Sequence, residues 1–201
     1  VIRPNPLIKN QENPMQELDQ DYINELATRV YTQNKEVGWW DNPNRCLMTT
    51  AQLILTEVAE ATEGARKDLM DDHLPHRKME EVELADALIR TVDLGAHCGL
   101  VYEETDAVDQ MEDEFTANLD EPAGLHFLIS CGAVAFGCGF LKTSDFGPDS
   151  VMYSALIDTI IIVARLQKYD LHGAVEEKLS YNASRSDHKR ENRAEVGGKK
   201  F

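Results

Sequence analysis

Leu53-Ile-Leu-Thr-Glu-Val-Ala-Glu-Ala-Thr-Glu63 and Glu81-Val-Glu-Leu-Ala-Asp-Ala-Leu-Ile-Arg-Thr-Val-Asp-Leu94 are the two stretches that decide how this chain is read. In both, apolar residues recur at helical spacing, and neither alternates strictly as a half-buried strand would. Each carries a short acidic pair, Glu57-x-x-Glu60 in the first and Glu83-x-x-Asp86 in the second. Residues three apart on a helix are neighbours on one face, so each helix sets two carboxylates side by side at the border of its apolar stripe. Like charges gathered in a cleft repel strongly unless a cation lies among them. Hard oxygen donors select Mg²⁺ or Mn²⁺ over zinc. One E-x-x-E is usually a solvated helix face, but two on consecutive helices joined by a short loop point to a metal site.

Working outward, the same spacing rules describe an all-α chain. Ile23, Leu26, Ala27, Val30, Tyr31 and Val37 follow the caps Asp19 and Asp21 and predict a first helix ending near Gly38. Trp39 to Arg45 is rich in turn formers and reads as a loop, after which Thr49 or Thr50 caps a second helix running to Lys67. The polar loop Asp71 to Pro75 leads to a third helix from Arg77 to His97, with Val82, Ala85, Leu88, Ile89 and Val92 inward. Glu83, Asp86, Arg90 and Asp93 lie on its other side, and Gly99 stops it. Residues 103 to 122 are acidic and weakly periodic. Leu125 to Leu141 and Val151 to Leu166 read as buried helices, and a last helix runs from Leu171 to Ser184. No segment has hairpin turn chemistry, so no strand is expected. The chain divides into an N-terminal arm (1–18), one helical domain (19–185, with 103–170 inserted or repeated) and a polar, basic tail (186–201) expected to be mobile. Residues 1–14 read either as a native arm or as an addition to the protein.

At 201 residues the chain is long enough for one real core. Its net charge of −16, from 36 acidic and 20 basic residues, argues against a surface built to hold nucleic-acid phosphates. A small anionic ligand remains compatible if metal screens the site. Four cysteines without a C-x-x-C pair form neither a zinc ribbon nor a disulfide framework, and with no signal-peptide core or apolar run of about 20 residues they predict a soluble, cytoplasmic protein without a membrane span.

An internal repeat near a period of 72 residues is also legible. Leu55-Thr-Glu-Val-Ala-Glu-Ala-Thr-Glu-Gly64 aligns with Leu128-Ile-Ser-Cys-Gly-Ala-Val-Ala-Phe-Gly137, and Asp86-Ala-Leu-Ile with Asp158-Thr-Ile-Ile, one residue being lost between. Glu57, Glu60 and Glu83 then become Ser130, Ala133 and Ala155, a helix pair without metal ligands. Such a pair is expected to pack on the acidic one within a single chain.

Taken together, the two acidic helices, the preceding Lys35-Glu-Val-Gly-Trp-Trp40 and the late Lys178-Leu-Ser-Tyr-Asn-Ala-Ser-Arg185 resemble the MazG-like all-α nucleoside triphosphate pyrophosphohydrolases. The resemblance covers most of 20–102 and 171–185. It implies Mg²⁺-dependent attack of water between the α and β phosphates, giving a nucleoside monophosphate and pyrophosphate. Glu57, Glu60, Glu83 and Asp86 would be the ligands, and Glu60 or Glu83 the general base. Lys178 and Arg185 would meet phosphates, and Asn182 a phosphate or a sugar hydroxyl, while Trp39 or Trp40 would stack on a base. A homo-oligomer, dimer or tetramer, is implied as well. A phosphoribosyl-ATP pyrophosphohydrolase-like activity and a non-catalytic nucleotide sensor are the alternatives. Compact members pass directly from the second metal helix to the Lys178-type helix, whereas about 70 residues intervene here, and Gly197-Gly-Lys-Lys-Phe201 comes late after His188.

Other groupings carry less. Gly132-x-x-x-x-Gly137 is followed by Cys138 rather than Lys-Ser/Thr and fails as a phosphate loop. His73-Leu-Pro-His76 reads as a pair of surface histidines, and Cys131 and Cys138 as core.

Overall fold

Asp19 opens the first helix by accepting the Tyr22 amide at 2.8 Å, an N-cap that satisfies one of the free donors of the first turn. The computed structural model describes residues 18–104, 113, 122–141, 149–186 and 189–193. Among them the fold is all-α: α1 (Gln20–Glu36), α2 (Leu47–Lys67), α3 (Met79–His97), α4 (Pro122–Cys138), α5 (Ser150–Leu166), α6 (Leu171–Ser184) and the single turn α7 (Arg190–Arg193). Among the described residues, extended pairing amounts to one isolated bridge, Met70 with Lys78, which pins the α2–α3 loop. The arm, most of the acidic stretch 103–122 and the end of the tail lie outside the described residues.

The helix ends differ in detail from those expected. α2 begins at Leu47, behind Cys46, and no side chain caps it. Thr50 is already one turn inside, where its hydroxyl accepts from Arg45 Nε at 3.1 Å. α2 ends on Asp68 with φ 53°, a left-handed residue closed by amide bonds back to Ala65 and Gly64. α3 starts at Met79 rather than Arg77, because Arg77 Nη1 and Nη2 are drawn to Glu81, Asp170 and Glu177 at 2.6, 3.1 and 2.8 Å. Gly99 does stop α3, at φ +73°, a conformation in which a side chain is strained.

α3 is the axis of the molecule. α1, α2, α5 and α6 all pack on it, and α4 closes the far side against α2 and α5. Every residue from Glu80 to Gly95 is buried except Asp86 and Arg90, so the two-sided helix expected from the sequence is enclosed nearly all round. At Gly95 an added Cβ would lie 2.2 Å from the Tyr153 ring, which shows how closely α5 approaches. α1 is tied to α6 by Glu176, which accepts from Tyr22 Oη at 2.9 Å and pairs with Arg29. No single helix among the described residues is long and apolar enough to cross a membrane.

The hairpin α4–α5 packs on α2–α3 within the one chain, as the repeat required. Burial moves its register, however. The inward positions Ile54, Glu57, Ala61 and Gly64 of α2 fall 72 residues before His126, Ile129, Ala133 and Phe136, all buried. The offset of 73 first drawn sets Ile54, Val58 and Ala61 against Phe127, Cys131 and Val134, all exposed. With 72 throughout, no residue is lost, and Glu57 and Glu60 align with Ile129 and Gly132. Asp158 then stands where Asp86 stands in the first pair, buried and accepting the Tyr102 hydroxyl at 2.6 Å.

The outward face of α4 also corrects the reading of its cysteines. Cys131 and Cys138 are exposed free thiols, as is Cys46, while Cys98 is half-buried. α4 is apolar on both sides, so hydrophobicity gave no clue to which side faced inward.

Candidate metal centre and the adjoining cavity

Because α2 and α3 lie side by side, their i, i+3 pairs converge. Carboxylate oxygens of Glu57, Glu60 and Glu83 all lie within 4.8 Å of one another. Glu57 and Glu83 are only 5% and 7% exposed, which excludes a solvated face for these two, while Glu60 opens to solvent. Burial first, and then the charges of Asp86 and Glu57, push the Glu83 carboxyl up to about 9, against the pull of Lys178. Glu57 is raised as well, by burial acting against Arg90. The two share a hydrogen bond, with Glu83 donating.

Asp86 stands slightly apart. Lys178 Nζ of α6, whose residue is 3% exposed, lies 2.9 Å from Asp86 Oδ2, and Arg90 Nε lies 2.5 Å from Glu57 Oε1. Two cationic side chains therefore stand among the four carboxylates. The reason is general, since a buried charge without a partner is costly. Burial works against the Lys178 ammonium, but Asp86, Glu83 and Asp71 outweigh it and hold the group charged. The donor set still suits a hard divalent cation. It is all oxygen, drawn from two rigid helices, and it holds at Glu83 a proton that a cation would replace. Glu57, Glu60 and Glu83 would hold the ion directly, with Asp86 beside them.

Past Asp86 the cluster adjoins a cavity of about 500 Å³. Its wall on α3 is Asp86, Arg90 and Asp93, Asn182 of α6 and Arg185 just past the end of that helix form another wall, and Trp39 comes from the α1–α2 loop. Lys178, Asn182 and Arg185 follow one another at i, i+4 and i+7, the spacing of one helix face. The structure thus brings Trp39, Asn182 and Arg185 to one space with Asp86. The Arg185 guanidinium lies 5.6 Å over the Tyr181 ring.

Trp40 is engaged elsewhere. Its Nε1 donates to Asp93 Oδ1 at 3.0 Å, its ring stacks on His97 with centroids 3.8 Å apart, and the Arg45 guanidinium lies 4.5 Å over it. It docks the loop on α3. Arg45 Nη1 also donates to the Trp39 carbonyl at 2.6 Å, which fixes the backbone from which Trp39 projects. Desolvation and the nearby Arg45 and Lys35 charges hold His97 below its ordinary value.

Several lining groups were not singled out as site residues. Asp93 was legible in part, since it falls on the same side of α3 as Asp86, but nothing local marks Asn34, Arg45 or Lys189, which reach the cavity only through packing. The histidines of the α2–α3 loop are ordinary surface groups: His76 Nε2 meets Glu177 at 2.6 Å and His73 lies against Tyr181. Compared with protein-family models, with curated proteins and with solved structures, the chain matches none.

Proposed function

We propose that the protein hydrolyses (deoxy)nucleoside triphosphates between the α and β phosphates, with Mg²⁺ or Mn²⁺, to a nucleoside monophosphate and pyrophosphate. The observation that carries this reading is the union of two parts: a buried carboxylate cluster and, opening at Asp86, a cavity with cationic, amide and aromatic walls. Either part alone would be weaker. The motif resemblance supplies the choice of bond, and the geometry supplies reasons for the roles.

A divalent ion, when bound, neutralises phosphate oxygens and lowers the pKa of a water to make it a nucleophile. The side chains do the rest. Lys178 of α6 and Arg185 at its C-terminal end offset phosphate charge, the arginine with a planar fork suited to phosphate oxygens. Asn182, between them, bonds a phosphate or a sugar hydroxyl. Trp39 offers the base a stacking surface. Glu60 or Glu83 accepts the proton of the attacking water.

The test is turnover in Glu60→Gln and Asp86→Asn. Both should lose orders of magnitude in rate while their circular dichroism stays that of the parent protein, since what is lost is transition-state charge stabilisation. Near-normal rates in both would return the cluster to a structural role.

A further inference from the structure

Asp93 lies seven residues beyond Asp86 on α3, two turns along the same face, or roughly 10 Å at the usual rise. Both line the cavity. A nucleotide with its phosphates beside Asp86, Lys178 and Arg185 would therefore bring its base toward Asp93, since the span from α-phosphate to the far edge of a base is of that order. Asp93 is 8% exposed and rigidly held. Trp40 Nε1 donates to its Oδ1 at 3.0 Å, and Trp40 is itself clamped by His97 and Arg45.

A carboxylate offers about four acceptor positions. One fixed donor, on Oδ1, leaves about three, in a cavity that Trp39, Val30 and Ile89 line together with the cationic Arg45 and Arg90. We propose that Asp93 selects the base, and that the preferred ligand is a nucleotide whose base edge carries two adjacent N–H donors, as guanine does with its ring N1–H and exocyclic amine. Adenine and cytosine place a ring acceptor beside their single amine, which sets a lone pair against the second carboxylate oxygen. Uracil and thymine offer one N–H between two carbonyls. Burial, opposed by the Trp40 hydrogen bond and by the neighbouring Asn34, Arg45 and Arg90, pushes the Asp93 carboxyl up to about 6. This inference rests on the nucleotide reading proposed above.

The experiment compares kcat/KM for dGTP, dITP, dATP, dCTP and dTTP with Mg²⁺, in the unmodified protein and in Asp93→Asn. dITP differs from dGTP by the exocyclic amine alone. The unmodified protein should favour dGTP over dITP by about 5- to 150-fold, the range of one good bidentate base contact. Asp93→Asn should erase that ratio, lowering kcat/KM for dGTP more than for dITP. Equal rates for dGTP and dITP in the unmodified protein would overturn the proposal, and need no variant to fold. So would an Asp93→Asn protein slowed equally on all five, which is the behaviour of a group that only docks the Trp40 loop. Turnover without a guanine preference would sink this inference alone. No hydrolysis of any of the five, together with no calorimetric binding of dGTP or dGMP, would sink the nucleotide reading and this inference with it.

Discussion

Replacing Glu83 with glutamine should make the metal-free protein more stable at neutral pH and remove most of its response to Mg²⁺. Glu83 is 7% exposed, and its proton is held up to about 9 against an ordinary value of 4.5. Between those values the folded protein keeps a proton that the unfolded chain has released. Stability is therefore full below pH 4.5 and falls as pH rises toward 9, by about 1.4 kcal/mol per pH unit for one proton. From pH 4.5 to 7.5 the loss is about 4 kcal/mol, a ceiling because Glu57 shares the ionisation. Glutamine keeps the shape and a donor toward Glu57 but does not titrate. The assay is thermal unfolding in a chelator from pH 5 to 8.5, with and without excess Mg²⁺. The difference in Tm between Glu83→Gln and the parent should widen with pH, reaching roughly 8 to 16 °C at pH 7.5 if the full ceiling is realised. Mg²⁺ should raise the parent's Tm increasingly at higher pH, as the ion replaces the proton, and the variant's little. Parallel pH profiles for the two proteins would refute the account of a proton-holding cluster.

Lys178→Ala should destabilise by about 3–5 kcal/mol as well as weaken triphosphate binding, since it strips the partner from a largely buried Asp86 carboxylate; urea unfolding beside nucleotide titration separates the two effects, and an unchanged unfolding midpoint would contradict the pairing. Trp39→Ala should raise KM with little change in Tm, whereas Trp40→Ala should lower Tm, because the Trp40 ring is stacked on His97 and bonded to Asp93. The reverse pattern would exchange their roles.

Much of this was legible in the sequence, for a physical reason: helices report themselves locally. The spacing of Ile23, Leu26, Ala27 and Val30 placed α1, Gly99 placed the end of α3, and the i, i+3 acidic pairs put Glu57 with Glu60 and Glu83 with Asp86 before any packing was known. Contacts between distant residues were not legible. Lys178 and Asp86 pair across 92 positions, and Trp40 and Asp93 across 53, and no local spacing encodes either. Nor could burial be read where a helix is apolar on every side, which is why Cys131 and Cys138 were placed in the core although they face outward. That α4 and α5 would pack on α2 and α3 was expected from the sequence, but which face of α4 turns inward was settled only by the burial of His126, Ile129 and Phe136.

The most direct measurement of the central claim is product analysis by ³¹P NMR of a (deoxy)nucleoside triphosphate incubated with the protein and Mg²⁺. The account predicts nucleoside monophosphate and pyrophosphate in equal amounts from the first time point, with neither formed in the presence of a chelator. Orthophosphate and nucleoside diphosphate as first products, or hydrolysis that persists in the chelator, would contradict it.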